Sequence, residues 1–207
     1  MRTVLYLHGF ASSPEGRKVT LLREALEPEG YRVTAPDLNR PSFGKLDFDA
    51  IVAEAAKAAA TEKPSVAIGS SLGALVALAA AKSGALTAPL VLVAPALGFG
   101  RRWIENAAPG DPVRFYHYGQ GKELEVHRRF FQQMADNTID GYPPPQRVVV
   151  IMGEQDESVP FAGVAEAWRR WESSGRLAPG SRFVSVPGGD HGLIGSVVLI
   201  AGVVRSI

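Results

Sequence analysis

The chain of 207 residues is long enough to bury a substantial core without disulfides or metals, and its 46% apolar and 21% charged content is that of an ordinary globular protein. A formal net charge of +1 gives no reason to expect nucleic acid or an acidic membrane surface as partner. The sequence has no cysteine, which excludes a thiol nucleophile, a disulfide framework and thiolate metal sites, and fits a reducing compartment.

Met1 to Leu7 carries one basic residue and a short apolar run ending at His8-Gly9. A signal peptide needs a longer apolar core and a small-residue cleavage site, so the expected location is the cytoplasm. From there, short runs rich in Val, Ile and Leu alternate with helical patterns. The strands are expected at Thr3–Leu7, Tyr31–Ala35, Ser65–Ile68, Leu90–Val93, Arg147–Met152 and Arg182–Val186. Their lack of polar alternation is the mark of a parallel sheet covered on both faces. Helices are expected at about Gly16–Leu26, Leu46–Ala60, Leu72–Lys82 and Pro160–Ser173, with Pro160 suited to a first helical turn. A closing helix is expected over Leu193–Val204. This alternation predicts an α/β fold: a three-layer α/β/α sandwich around a mostly parallel, doubly wound sheet of about six strands. One domain, residues 1–207, accounts for the length. Between Pro95 and Pro145 the alternation stops, and residues of about 97–146 are expected to form a lid or cap. That stretch holds an aromatic cluster, Trp103, Phe115, Tyr116 and Tyr118, and one expected helix around Leu124–Met134.

The chemistry begins at Gly69-Ser70-Ser71-Leu72-Gly73, a G-x-S-x-G pentapeptide between an expected strand and an expected helix. A sharp strand-to-helix turn strains its central residue and leaves room only for small neighbours two positions either side. The strain pushes the hydroxyl of Ser71 into an open cleft, and the following helix aims free N–H groups at the same place. A serine hydroxyl needs a base, and the base needs an acid to hold its tautomer. His191, in the glycine-rich loop Pro187-Gly188-Gly189-Asp190-His191-Gly192 after the last strand, is the expected base. His117 and His127 lie in the expected lid, and His8 ends the first strand, where a local structural role suits it.

The acid belongs just past the preceding strand, in Gly153-Glu154-Gln155-Asp156-Glu157-Ser158-Val159-Pro160. Asp156 is preferred, and spacing leaves Glu154 and Glu157 open; Asp190 adjoins His191, and neighbouring side chains diverge. The oxyanion of acyl attack needs two main-chain donors. Leu72 N–H follows the nucleophile, and Phe10 N–H follows the His8-Gly9 turn.

The set Leu7-His8-Gly9-Phe10, Gly69-Ser70-Ser71-Leu72-Gly73, Asp156-x-x-Val159-Pro160 and Asp190-His191-Gly192 resembles the α/β-hydrolase superfamily over essentially the whole chain. The opening Leu5-Tyr6-Leu7-His8-Gly9-Phe10-Ala11-Ser12-Ser13-Pro14 more narrowly resembles the small bacterial YqiA-like esterases. The resemblance favours Asp156 over its neighbours and implies a sheet lacking the superfamily's first antiparallel pair.

The expected activity is hydrolysis of carboxylic esters, or thioesters, of small to medium acyl groups through Ser71, Asp156, His191 and an acyl-enzyme. Trp103, Phe115 and Tyr116 are candidate substrate contacts, and Arg101-Arg102 could meet a phosphate-bearing leaving group such as coenzyme A. A ligand-binding protein without turnover, or a triad enzyme of other chemistry (perhydrolase, C–C hydrolase, peptidase), is the alternative. No metal or organic cofactor is expected, since the histidines lack ligand spacing and the glycines form no dinucleotide fingerprint.

Overall fold

The computed structural model describes residues 1–106, 110–137, 139–141 and 143–207. In chain order its elements are β1 (Arg2–Leu7), α1 (Arg17–Leu26), β2 (Tyr31–Thr34), α2 (Phe48–Glu62), β3 (Val66–Ser70), α3 (Leu72–Lys82), β4 (Leu90–Val93) and α4 (Phe99–Asn106). There follow β5 (Val113–His117), β6 (Lys122–Val126), α5 (Arg128–Asp136), β7 (Val148–Gly153), α6 (Phe161–Ser173), β8 (Arg182–Val186) and α7 (Val197–Arg205).

Six strands form one sheet in the order β2-β1-β3-β4-β7-β8, and every pairing within it is parallel. The expected mostly parallel, doubly wound sheet is therefore present. The central strands β3, β4 and β7 are buried along their whole length. This is why their sequences run Val-Ala-Ile, Leu-Val-Leu-Val and Val-Val-Val-Ile without polar alternation. Helices α1 and α7 pack together, and α2 and α3 form a second packed pair. Helix α3 is almost entirely buried and made of alanine, leucine and valine, so it is apolar all round rather than amphipathic. The chain leaves β1 toward one edge of the sheet and returns to build β3 on the other side. The crevice between the carboxyl ends of β1 and β3 is thus a topological switch point, the place where such sheets bind ligands.

The segment between β4 and β7 carries more structure than its sequence announced. Helix α4 was not expected, and the stretch expected as one helix over Leu124–Met134 divides into β6 and α5. Strands β5 and β6 make a separate antiparallel hairpin with Phe115 opposite Leu124. Its short alternating strands are interleaved with Arg114, Glu123 and Glu125, a pattern that charge makes resemble a helical face.

Helix α4 lies against α5, with the Trp103 ring stacked on Phe131 at 3.8 Å and 16°. Gln133 of α5 ties this layer to the main body: its amide donates to Asp47 Oδ2 at 2.8 Å, and its carbonyl oxygen accepts from Phe48 N–H at 3.0 Å. Asp47 also caps α2, its Oδ1 accepting from Ala50 N–H at 2.9 Å. Two smaller differences occur at helix starts. Pro160 stands one residue before α6 instead of in its first turn, and the closing helix begins at Val197 after a 3₁₀ turn over Ile194–Ser196. Among the described residues no helix is long and apolar enough to cross a membrane.

Candidate active site

Ser71 stands between β3 and α3 with φ 54° and ψ −114°, a backbone conformation that side-chain-bearing residues rarely adopt. The glycines around it are dictated by space. A Cβ on Gly73 would lie 2.0 Å from the Leu7 carbonyl oxygen, and one on Gly69 would lie 2.5 Å from the Gly73 carbonyl oxygen. Both collisions are with backbone, which cannot swing aside. Gly73→Ala is accordingly expected to lose more than about 4 kcal/mol of stability and to yield little folded protein, since β1 and α3 would have to separate. A soluble-fraction assay with circular dichroism of whatever is recovered checks this. The turn is further held by Ser71 N–H donating to the Val93 carbonyl oxygen at 2.9 Å.

His191 reaches Ser71 from the loop after β8. Its Nε2 lies 3.0 Å from Ser71 Oγ, and its Nδ1 lies 2.8 Å from Asp156 Oδ2. With Nδ1–H donating to the carboxylate, Nε2 is left unprotonated and faces the hydroxyl. The Asp156 side chain is fully buried, whereas 23% of the His191 side chain is exposed. Asp156 is positioned by its own turn: Oδ1 accepts from Ser158 N–H at 2.9 Å and Val159 N–H at 2.7 Å. This accounts for the Asp-x-x-Val spacing, because Val159 is the residue whose N–H closes the turn.

The acid loop and the base loop are stitched backbone to backbone. Glu154 N–H donates to the Val186 carbonyl oxygen at 3.1 Å and Gln155 N–H to that of Gly189 at 2.9 Å. Gly153 permits the approach, since a Cβ there would fall 2.3 Å from the Gly189 carbonyl oxygen. The competing acids have other tasks. Asp190 Oδ1 accepts from Leu193 N–H at 2.7 Å, and Glu157 Oε2 accepts the His191 main-chain N–H at 3.3 Å.

The His8-Gly9-Phe10 turn crosses directly above the serine: a Cβ on Gly9 would meet Ser71 Cβ at 3.3 Å and Ser71 Oγ at 3.9 Å. Neither Phe10 N–H nor Leu72 N–H has an acceptor among the described residues. His8 is buried and structural. Its Nε2 accepts from Leu38 N–H at 2.9 Å, which ties the end of β1 to the loop after β2.

A cavity of about 560 Å³ opens over Ser71 and His191. Phe10, Phe99, Phe115, Tyr116 and Tyr118 are among its lining residues, as are the carboxylates Glu157 and Asp190. Of the three candidate substrate contacts, Phe115 and Tyr116 line it and Trp103 does not. Its indole lies one layer back, stacked on Phe131 and covered by the Arg128 guanidinium at 5.0 Å. Of the Arg101-Arg102 pair, Arg102 Nη1 donates to the Leu97 carbonyl oxygen at 2.7 Å, and neither arginine lines the cavity. Phe99, Tyr118 and Met134 were not foreseen as cavity residues, though Tyr118 belongs to the aromatic cluster visible in the sequence. No three His, Asp or Glu side chains converge as a metal site requires, among the described residues.

A doubly wound parallel sheet with a strained serine turn after its central strand, and a histidine loop after its last, is the α/β-hydrolase fold. By sequence the chain belongs to UPF0227, described as an uncharacterised protein family, whose model matches residues 3–174. No curated protein matches the sequence.

Solved structures agree on the fold. Est1E from Butyrivibrio proteoclasticus superposes with a TM-score of 0.75 at 16% identity, over 99% of this chain and 86% of that one. The esterase domain of a Rhodothermus marinus protein gives 0.72 at 18% identity, over 99% and 85%. The alpha/beta hydrolase domain-containing protein 10 from mouse gives 0.74 at 16% identity, over 99% and 88%.

Proposed function

We propose that the protein is a serine hydrolase of carboxylic esters, with Ser71 as nucleophile, His191 as general base and acid, and Asp156 as its orienting acid. The observation that carries this reading is the continuous relay Ser71 Oγ–His191 Nε2 at 3.0 Å and His191 Nδ1–Asp156 Oδ2 at 2.8 Å, opening into a cavity. Ser71 Oγ attacks the ester carbonyl while its proton passes to His191 Nε2. The new oxyanion accepts from Phe10 N–H and Leu72 N–H, donors already oriented before the charge develops. Collapse breaks the C–O bond as His191 protonates the leaving alcohol, and an acyl-serine remains. Water, deprotonated by His191, then attacks the acyl carbon and releases the acid and free Ser71.

The lining favours an uncharged, small to medium acyl group with apolar or aromatic character. Aromatic rings line it, and the charges there are carboxylates with no lysine or arginine among the lining residues. That balance opposes a leaving group rich in phosphates such as coenzyme A. The Rhodothermus marinus neighbour is an esterase domain and Est1E binds ferulic acid, which is in keeping with this choice.

The test is a chain-length series of p-nitrophenyl esters beside the acyl-CoA of each length. Turnover of short and medium esters, at kcat/KM values at least tenfold above the matching thioesters, is expected. A folded protein that hydrolyses no ester would end the reading in favour of a binding protein.

A further inference from the structure

Lys18 has no part in the ester chemistry above, yet it points at the site from behind. It is the second residue of α1, and its Nζ donates to Ser70 Oγ at 2.8 Å. Ser70 ends β3 directly before Ser71 and is 5% exposed. Beside it, burial pushes the Tyr6 phenol of β1 up to about 12, against the opposing pull of Ser70. The groups that act on Lys18 are Ser70, Asp156 after β7 and Asp190 after β8.

A surface helix lysine normally extends its charge into water, as the adjacent Arg17 does. Turning an ammonium inward costs solvation, and here the partners that offset it are a neutral hydroxyl and two carboxylates at a distance. Desolvation lowers the Lys18 pKa to about 8, against the opposing pull of Asp190 and Asp156.

We infer that Lys18 is a positioning residue for the nucleophile, acting through Ser70 to hold the strained turn. The inference rests on the proposed role of Ser71. Ser71 is held out of the common backbone regions and will relax unless its surroundings resist. Its N–H is fixed from β4, the turn packs against β1 through Gly73, and Lys18 grips the preceding side chain from α1. Lys18 does not line the cavity, so its influence falls on the reactivity of Ser71 and not on substrate binding. Displacements well under an ångström at a reacting oxygen change rates by an order of magnitude.

Lys18→Met, Ser70→Ala and the double variant test this with two readouts. One is the rate at which diisopropyl fluorophosphate modifies Ser71: the Ser71 Oγ–P bond forms, P–F breaks, His191 takes the hydroxyl proton and fluoride leaves. The other is kcat and KM for a p-nitrophenyl ester across pH. Each single variant is expected to lower both the modification rate and kcat about tenfold with KM unchanged. The double variant should be no slower than either single, because one acts through the other. The wild-type rate should fall above about pH 8 as the ammonium is lost, and that fall should be missing from Lys18→Met.

Additive losses, a changed KM with unchanged kcat, or an alkaline fall that survives in Lys18→Met would overturn the inference. Should Lys18→Met fail to fold, Ser70→Thr decides: a retained hydroxyl should restore the wild-type rate and alkaline fall, and a rate as low as that of Ser70→Ala would count against the clamp. A wild-type protein left unmodified at Ser71 refutes the hydrolase reading itself. A wild-type protein that is modified, with Lys18→Met modified equally fast, refutes only the role of Lys18.

Discussion

Ser71→Ala is expected to fold like the wild type and to hydrolyse esters about ten-thousand- to million-fold more slowly. That is a loss of roughly 5 to 8 kcal/mol of transition-state stabilisation. The substitution removes one oxygen that makes no contact needed by the fold: the bonds that hold the turn run through the Ser71 N–H and carbonyl, which alanine keeps. The thermal midpoint should therefore stay within a few degrees while kcat collapses. A residual rate above that in water should remain, since Phe10 N–H and Leu72 N–H still face the carbonyl. His191→Ala should lose as much, and the double variant no more, because nucleophile and base work as one unit. Initial rates on a medium-chain p-nitrophenyl ester, with single-turnover runs to exclude contaminating esterase, give the answer. Full activity in Ser71→Ala would remove the serine mechanism.

What could be read in the sequence was whatever local physics alone determines. Helix α3 begins and ends where the alanine-rich run after Ser71 does, and β4 occupies the expected Leu90–Val93, because β4 is wholly buried and α3 is buried over nearly all its length, with its one charged residue, Lys82, at the exposed end. The pentapeptide was legible for the same kind of reason. Gly69 and Gly73 are there because backbone atoms lie within 2.5 Å of where their Cβ would be, so the fold leaves a mark in the sequence.

The features that escaped depend on partners distant in the chain. Lys18 looks like any cation on an amphipathic helix, and only the approach of α1 to the end of β3 turns it inward. The β5–β6 hairpin has five-residue strands whose charged positions imitate a helix, and its docking depends on Phe10 and Phe43, more than seventy positions away from its aromatic residues. Trp103 belongs to the aromatic cluster of the inserted segment, and that its ring stacks on Phe131 rather than lining the cavity depends on a helix almost thirty positions away. Asp156 lay between these extremes. Its turn chemistry was local, but the choice against Glu157 depended on which carboxylate the His191 loop would meet.

Asp156→Asn isolates that choice and is expected to lower kcat about ten-thousand-fold without a comparable loss of stability. Asparagine keeps an oxygen to accept from Ser158 N–H and Val159 N–H, so the turn survives. Its amide then presents N–H toward His191 Nδ1, where the carboxylate Oδ2 had been. The imidazole must accept there, which puts its proton on Nε2, and an Nε2–H facing Ser71 Oγ cannot take the hydroxyl proton. The loss of a buried negative charge also removes the group that steadies the imidazolium formed as Ser71 attacks, which lowers the plateau rate further.

Glu157 does not stand in for the missing acid, because its carboxylate accepts from the His191 main chain and the residue is exposed. Asp190 is engaged by Leu193 N–H on the other side of the same loop. Glu157→Gln should accordingly cost less than tenfold where Asp156→Asn costs about ten-thousand-fold. Equal losses from the two would mean that the acid is shared, and the geometry around His191 Nδ1 would no longer define the catalytic partner.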